Sequence, residues 1–265
     1  MPPRHKRCVL KFGSGILTRT SGTGLDAKQF RDLSAAVAAL VRDGHQCVLV
    51  SSAAVAAGMS AMKLAQRPLD LATCQASAAV GQSKLMRAYE TAFARHRLDV
   101  AQLLLTHSDL DSRIRYANAK NTLERLLAAG NIVPIINEHD SVAVEELKFG
   151  DNDRLSAEVA MLARADLLLI LTQVDGLMDA SGEVIPIVED IQRVKGLASE
   201  TKGRFSVGGM ISKLQAVEMA VAAKIPTTII NGRHPERIKA AADGGEVAGT
   251  RFLPKTAATR KPRHK

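Results

Sequence analysis

Aromatic residues are scarce: two Tyr, six Phe and no Trp among 265 residues, or 3% of the chain. A core must therefore be assembled from Ala, Val, Leu, Ile and Met. Basic clusters interleaved with aromatics are missing as well, so nucleic acid is not an expected partner. Cysteine is equally sparse. Cys8, Cys47 and Cys74 are odd in number and widely spaced, which gives neither a disulfide framework nor a zinc pattern. The apolar runs around Cys8 and Cys47 mark buried thiols, as expected in a reducing compartment. No run is long enough to span a bilayer, since Leu167–Leu171 is far too short. No signal-type apolar segment follows the basic stretch Met1 to Arg7, so a cytoplasmic location is expected. The signatures of several enzyme classes are also missing. There is no G-x-x-x-x-G-K-[ST] loop and no G-x-S-x-G elbow. Gly22-Thr23-Gly24-Leu25-Asp26-Ala27 fits the dinucleotide pattern formally but begins about ten residues after the nearest strand, too late for that role. His107 and His139 have no partners at metal-ligand spacing and read as surface or hydrogen-bonded histidines.

What is present describes a globular chain. It is 46% hydrophobic and 24% charged, enough for a sizeable core and too balanced for wholesale disorder. The formal net charge is +9. Much of it lies in short basic tails, at Arg4, Lys6 and Arg7 and at Lys255, Arg260, Lys261, Arg263 and Lys265. The excess favours an anionic ligand and would steer one inward.

Apolar runs alternate with segments of helical period. Strands are expected at Cys8–Phe12, Gln46–Ser51, Val100–Leu105, Ile132–Ile136, Leu167–Leu171 and Thr227–Ile230. Helices are expected after the Asp26 cap, from Leu69 to His96, and at Asp109–Ala129, Asn152–Ala163, Met210–Ala223 and Pro235–Ala242. Continuously apolar strands separated by helices predict an α/β chain: an αβα sandwich around a mainly parallel sheet, with residues 1–265 as one domain. Such sheets bind ligands beyond the carboxyl ends of their strands.

Five strand ends carry suitable chemistry. Lys11-Phe12-Gly13-Ser14-Gly15 offers a point charge and backbone that can approach a phosphate closely. Ser51-Ser52-Ala53-Ala54 and Gly208-Gly209-Met210-Ile211-Ser212-Lys213 both open helices, where free N–H groups suit an anion. Asn137-Glu138-His139-Asp140 and Gly150-Asp151-Asn152-Asp153 supply carboxylates that favour a cation, an ammonium group or a helix dipole. They would repel phosphate unless Lys11, Lys213 or a metal ion intervened. Thr172 and Gln173 follow the fifth strand. Together these residues point to phosphoryl transfer from a nucleotide to a small molecule without a Walker loop. They leave open which acid is the acceptor, and whether the chain is instead a non-catalytic ligand-binding subunit.

In order along the chain, Lys11-Phe12-Gly13-Ser14, Val50–Gly58, Ala79-Val80-Gly81-Gln82-Ser83, Gln102–Thr106, Ile136–Asp140, Gly150–Asp153 and Gly208-Gly209-Met210 with Lys213 resemble the glutamate 5-kinases of the amino acid kinase superfamily. The resemblance covers roughly residues 7 to 232. It implies that ATP phosphorylates the γ-carboxylate of L-glutamate to L-glutamyl 5-phosphate, the first step of proline synthesis, with Mg2+ carried by the nucleotide. It further implies that Ser52, Asp140 and Asn152 hold glutamate. Lys11 and Lys213 contact the phosphates, and Asp153 orients the two lysines. Gly13, Thr172, Gln173, Val207, Gly208, Gly209, Met210, Ile211 and Ser212 line the nucleotide site with them. Relatives are commonly dimers or tetramers, and proline is an expected inhibitor. Many carry a further C-terminal RNA-modification-type (PUA) domain; this sequence stops soon after Phe252 and is read without it. Ala53 stands where Gly is usual, Gln173 where Asp is usual, and Ser206-Val207 where Gly-Thr is usual.

Overall fold

The computed structural model describes residues 5–20, 24–143, 152–197 and 209–255. Val207, Gly208, Asp151 and the Gly22-Thr23 dipeptide lie outside these. The apolar runs become β1 (Arg7–Phe12), β2 (Gln46–Ser51), β3 (Asp99–Leu105), β4 (Ile132–Glu138), β5 (Leu167–Thr172) and β7 (Thr227–Asn231). Two short strands not expected from the sequence join them, β6 (Ile187–Val188) and β8 (Gly249–Phe252). At two and four residues, neither offers a periodic pattern to read.

Among the described residues these strands form one sheet in the order β3-β4-β2-β1-β5-β7-β8-β6. Every neighbouring pair is parallel except β7 with β8. The αβα sandwich with a mainly parallel sheet is thus the observed architecture. Its centre is β1, which pairs with β2 on one side and β5 on the other.

Helices cover both faces. Cys8, Leu10 and Phe12 point to one core with α2 (Ala27–Arg42), α3 (Ala54–Ala61), α4 (Leu71–Ala94) and α9 (Arg237–Asp243), through Phe30, Leu33, Val55, Leu85, Tyr89, Phe93 and Ile238. Val9 points to the opposite core with α6 (Arg113–Ala129), α7 (Asn152–Leu162) and α8 (Met210–Ala222), through Leu123, Leu155, Val159, Leu214 and Val217. Strand alternation therefore sends Lys11, two residues beyond Val9, to the α7–α8 face. All three thiols are unpaired and buried. Burial pushes the Cys8 thiol up to about 12, so it is inert as a nucleophile.

Local chemistry explains several helix boundaries. The Asp26 carboxylate accepts from the N–H groups of Lys28 and Gln29, as expected of an N-cap. The loop expected after Gly13 contains a one-turn helix instead, α1 (Ser14–Leu17). The single helix expected over 109–129 is two. Thr106 and Asp109 form a capping box that starts α5 (His107–Asp111) early, and extended backbone at Ser112 separates it from α6. β4 runs two residues further than expected, so Asn137 and Glu138 belong to the strand rather than the loop after it.

Helices α3 and α4 touch backbone to backbone. A Cβ on Gly58 would stand 1.7 Å from the carbonyl oxygen of Ser77, and one on Gly81 1.8 Å from that of Ala54. Only glycine permits this approach, and carbonyls cannot rotate away as side chains do. The Gly81→Ala variant is therefore expected to lose about 3 kcal/mol of unfolding free energy, at the upper end of over-packing costs. Urea denaturation with an unchanged m value checks this.

Candidate active site

The strand ends converge above β1. Lys11, Asp153 and Lys213 come from β1, α7 and α8, and all three are buried. The Lys11 ammonium pairs with Asp153 Oδ1. Lys213 Nζ lies 3.3 Å from Asp153 Oδ2, and the Ser212 hydroxyl donates to the same oxygen at 2.7 Å. Burial alone would raise the Asp153 pKa, but the charges of Lys11 and Lys213 outweigh it and hold the carboxyl below its usual range. Lys213 is shifted down, chiefly by burial and further by Lys11, with Asp153 opposing. Two ammonium groups gather on this one carboxylate in a buried place. That is an environment suited to an anion with several oxygens.

On the β2–β4 side is a chain of amides. Asn152, the first residue of α7, donates from Nδ2 to Ser52 Oγ at 3.1 Å and to Asn137 Oδ1 at 3.0 Å. Asn137 donates from Nδ2 to Gln82 Oε1 at 2.8 Å. Asn152 Oδ1 and Gln82 Nε2 are shielded from water and have no hydrogen-bond partner among the described residues. Asp140 stands in the turn after β4, half-buried. Ser52 and Asn152, expected together, do meet. Asn137 and Gln82 were given no role from the sequence. Gln82 lies in the Ala79–Ser83 segment that carries the family resemblance, and Asn137 follows Ile136, where the apolar run of β4 ends.

On the β5–β7 side the Gly13 N–H bonds to the Leu171 carbonyl, and a Cβ on Gly13 would come within 3.7 Å of Lys11 Nζ. Thr172 ends β5 beside Asn231 of β7. Gly209 caps α8, which begins Met210-Ile211-Ser212-Lys213. Gln173 is exposed, and its amide donates to the Gly15 carbonyl at 3.0 Å. A Cβ on Gly15 would stand 2.5 Å from that side chain, so glycine there lets Gln173 fold over α1.

Sequence comparison shows the family. The amino acid kinase family matches residues 6–231. A glutamate 5-kinase of Trichlorobacter lovleyi is 46% identical over 266 residues, covering 98% of this chain and 70% of that protein. The chain belongs to the amino acid kinase family, among the glutamate 5-kinases. A Geobacter sulfurreducens glutamate 5-kinase is 44% identical over the same shares of both chains, 98% and 70%. Two solved structures share the amino acid kinase fold. Carbamate kinase from Giardia lamblia bound to AMP-PNP has a TM-score of 0.65 at 16% identity, covering 96% of this chain and all of that one. N-acetylglutamate synthase from Neisseria gonorrhoeae has a TM-score of 0.67 at 15% identity, covering 95% of this chain and 62% of the other.

One departure from the usual glutamate 5-kinase sequence has a clear cost. Ala53 has φ 83°, in the left-handed region, where it precedes α3 and follows Ser52. A Cβ there costs about 1–2 kcal/mol, partly offset because alanine restricts the unfolded chain more than glycine does. Ala53→Gly is expected to raise stability by about 0.5–1 kcal/mol, read as a higher urea midpoint.

Asp153 links stability to pH. Its folded pKa lies below the unfolded value of about 3.9. Its contribution is therefore present above roughly pH 4 and is lost as pH falls through the folded pKa. Asp153→Asn leaves two buried lysines without their shared partner, and is expected to lose about 3–5 kcal/mol at pH 7. The gap between wild type and variant should narrow as pH falls below about 4 in urea denaturation.

Proposed function

We propose that this chain catalyses phosphorylation of the γ-carboxylate of L-glutamate by ATP, giving L-glutamyl 5-phosphate and ADP as the first step of proline biosynthesis. One observation carries the reading: the buried Lys11–Asp153–Lys213 cluster lies beside the Ser52–Asn152–Asn137 chain, in a sequence 46% identical to a glutamate 5-kinase.

A glutamate side chain has a pKa near 4.3 and is already a nucleophile at neutral pH, so no general base is needed. One of its oxygens attacks the γ-phosphorus, and the bond from that phosphorus to the bridging oxygen breaks. The electron pair leaves with ADP, and no proton moves. The obstacle is bringing an anion up to a polyanion, which costs roughly 4 kcal/mol per charge pair at 4 Å and an effective dielectric of 20. Lys11 and Lys213 offset this and stabilise charge on the transferring group. Asp153 keeps both lysines charged and spaced; Ser212 helps to hold Asp153.

The nucleotide site takes in Gly13, Thr172, Gln173 and the stretch from Val207 to Lys213, of which Val207 and Gly208 lie outside the described residues. The acceptor site takes in Ser52, Asp140 and Asn152. The described residues do not fit a resident divalent cation. Asp153 is committed to two lysines and a serine, and among the described residues no three His, Cys, Asp or Glu side chains gather. Magnesium would therefore enter with the nucleotide phosphates, whose charge it neutralises, and no step above depends on a protein cage for it.

Among the described residues no helix is long and apolar enough to cross a membrane. The unpaired, buried thiols suit a reducing compartment, and a cytoplasmic enzyme is part of the proposal. So are a dimer or tetramer and inhibition by proline, which follow from the family resemblance and are read by sizing and by proline titration.

With ATP, glutamate and hydroxylamine the protein should form glutamyl hydroxamate. Indifference to glutamate with turnover of another acid would sink the reading. Lys11→Ala and Lys213→Ala should each lower kcat by roughly 100-fold or more, while the KM for glutamate changes only a few-fold. Equal losses in both would remove the lysines from the chemistry.

A further inference from the structure

The amide chain beside the lysine cluster has a polarity fixed by the backbone. The Glu138 N–H donates to Asn137 at 2.9 Å, and a backbone N–H can only donate. The Asn137 atom it meets is therefore Oδ1, and the other atom is the nitrogen. That nitrogen faces Gln82, which must present Oε1. Asn137 Oδ1 also receives Asn152, which must present Nδ2. Ser52 Oγ takes the second bond from the same nitrogen. The remaining atom of Asn152 is then an oxygen, buried, without a partner among the described residues and able only to accept. An α-ammonium group donates and cannot accept, so it complements this atom.

We propose that Gln82 is a positioning residue for the acceptor amino acid. By accepting from Asn137 it holds the amide that in turn holds Asn152, whose Oδ1 is kept available for the α-ammonium group. The role rests on the functional reading above and names what that site selects: an amino acid over the same diacid without its amino group.

Gln82 is itself held by main-chain geometry. It follows Gly81, whose missing Cβ lets α4 meet the Ala54 carbonyl, two residues beyond Ser52. Both ends of the amide chain are therefore tied to the α3–α4 crossing. Without the Gln82 carboxamide, Asn137 Nδ2 becomes a buried donor with nothing to receive it. Rotation of Asn137 to relieve it breaks the contact that fixes Asn152.

The test uses Gln82→Met and Gln82→Ala, both good helix formers, with glutamate and with glutarate, which lacks the amino group. Melting temperatures identify which variants fold as wild type does. In either folded variant the KM for glutamate should rise about tenfold with kcat within about threefold, and the KM for ATP should stay constant. The preference for glutamate over glutarate in kcat/KM should fall about tenfold. An unchanged preference, or parallel losses on both acids, would overturn the role of Gln82. A wild-type protein that forms no glutamyl hydroxamate would sink the functional reading and this role with it. An active wild type with unaffected variants would sink only the role.

Discussion

The buried carboxylate of Asp153 is the interaction on which the site depends. It links the central strand to two helices from distant parts of the chain, and it is the carboxylate that Lys11 and Lys213 share away from water. Its own ionisation is secured by those lysines against the pull of burial. Such an arrangement contributes little to stability compared with an apolar cluster of similar size, since desolvating three charges consumes much of what their attraction returns. What it secures is a fixed separation of two ammonium groups on the α7–α8 face. A site for a polyanion needs that spacing before the ligand arrives.

The opposite half of the site is organised by packing rather than charge. The α3–α4 contact is close because Gly58 and Gly81 lack side chains, and it brings Gln82 to Asn137 while Ala54 follows directly after the turn at Ala53. The strained backbone at Ala53 sits between a strand that ends at Ser51 and the helix that opens one residue later. Electrostatic and steric halves meet at α7, whose first two residues, Asn152 and Asp153, serve one each.

Much of this was legible in the sequence. A lysine ending an apolar strand and a lysine opening a helix stand out as candidates for holding an anion, whereas the role of Asp153 between them came only with the family resemblance. The long parallel strands were equally plain, since burial on both faces leaves an uninterrupted run of Val, Ile and Leu. Four features were not visible. β6 and β8 are too short to show a period. Asn137 and Glu138 break the apolar run that marks β4, yet their backbone keeps pairing with Leu104 and Leu105. The contact of Gln173 with the Gly15 carbonyl depends on two segments far apart in the chain, and local pattern carries no trace of it. The amide polarity from Gln82 to Asn152 depends on one N–H, that of Glu138, and only coordinates reveal it.

The position of β1 has a consequence for how the chain reaches this state. β1 pairs with β2 across one helical crossover, but its other neighbour is β5, where Cys8 lies beside Leu167. Closing so long a loop is entropically unfavourable until the contacts it creates are made, so the middle of the sheet is slow to assemble. The lysine cluster takes its members from β1, from α7 inside the loop that this pairing closes, and from α8 beyond β5. No early, locally folded segment contains all three. The site is therefore a product of the finished topology, and a chain still folding cannot yet hold it.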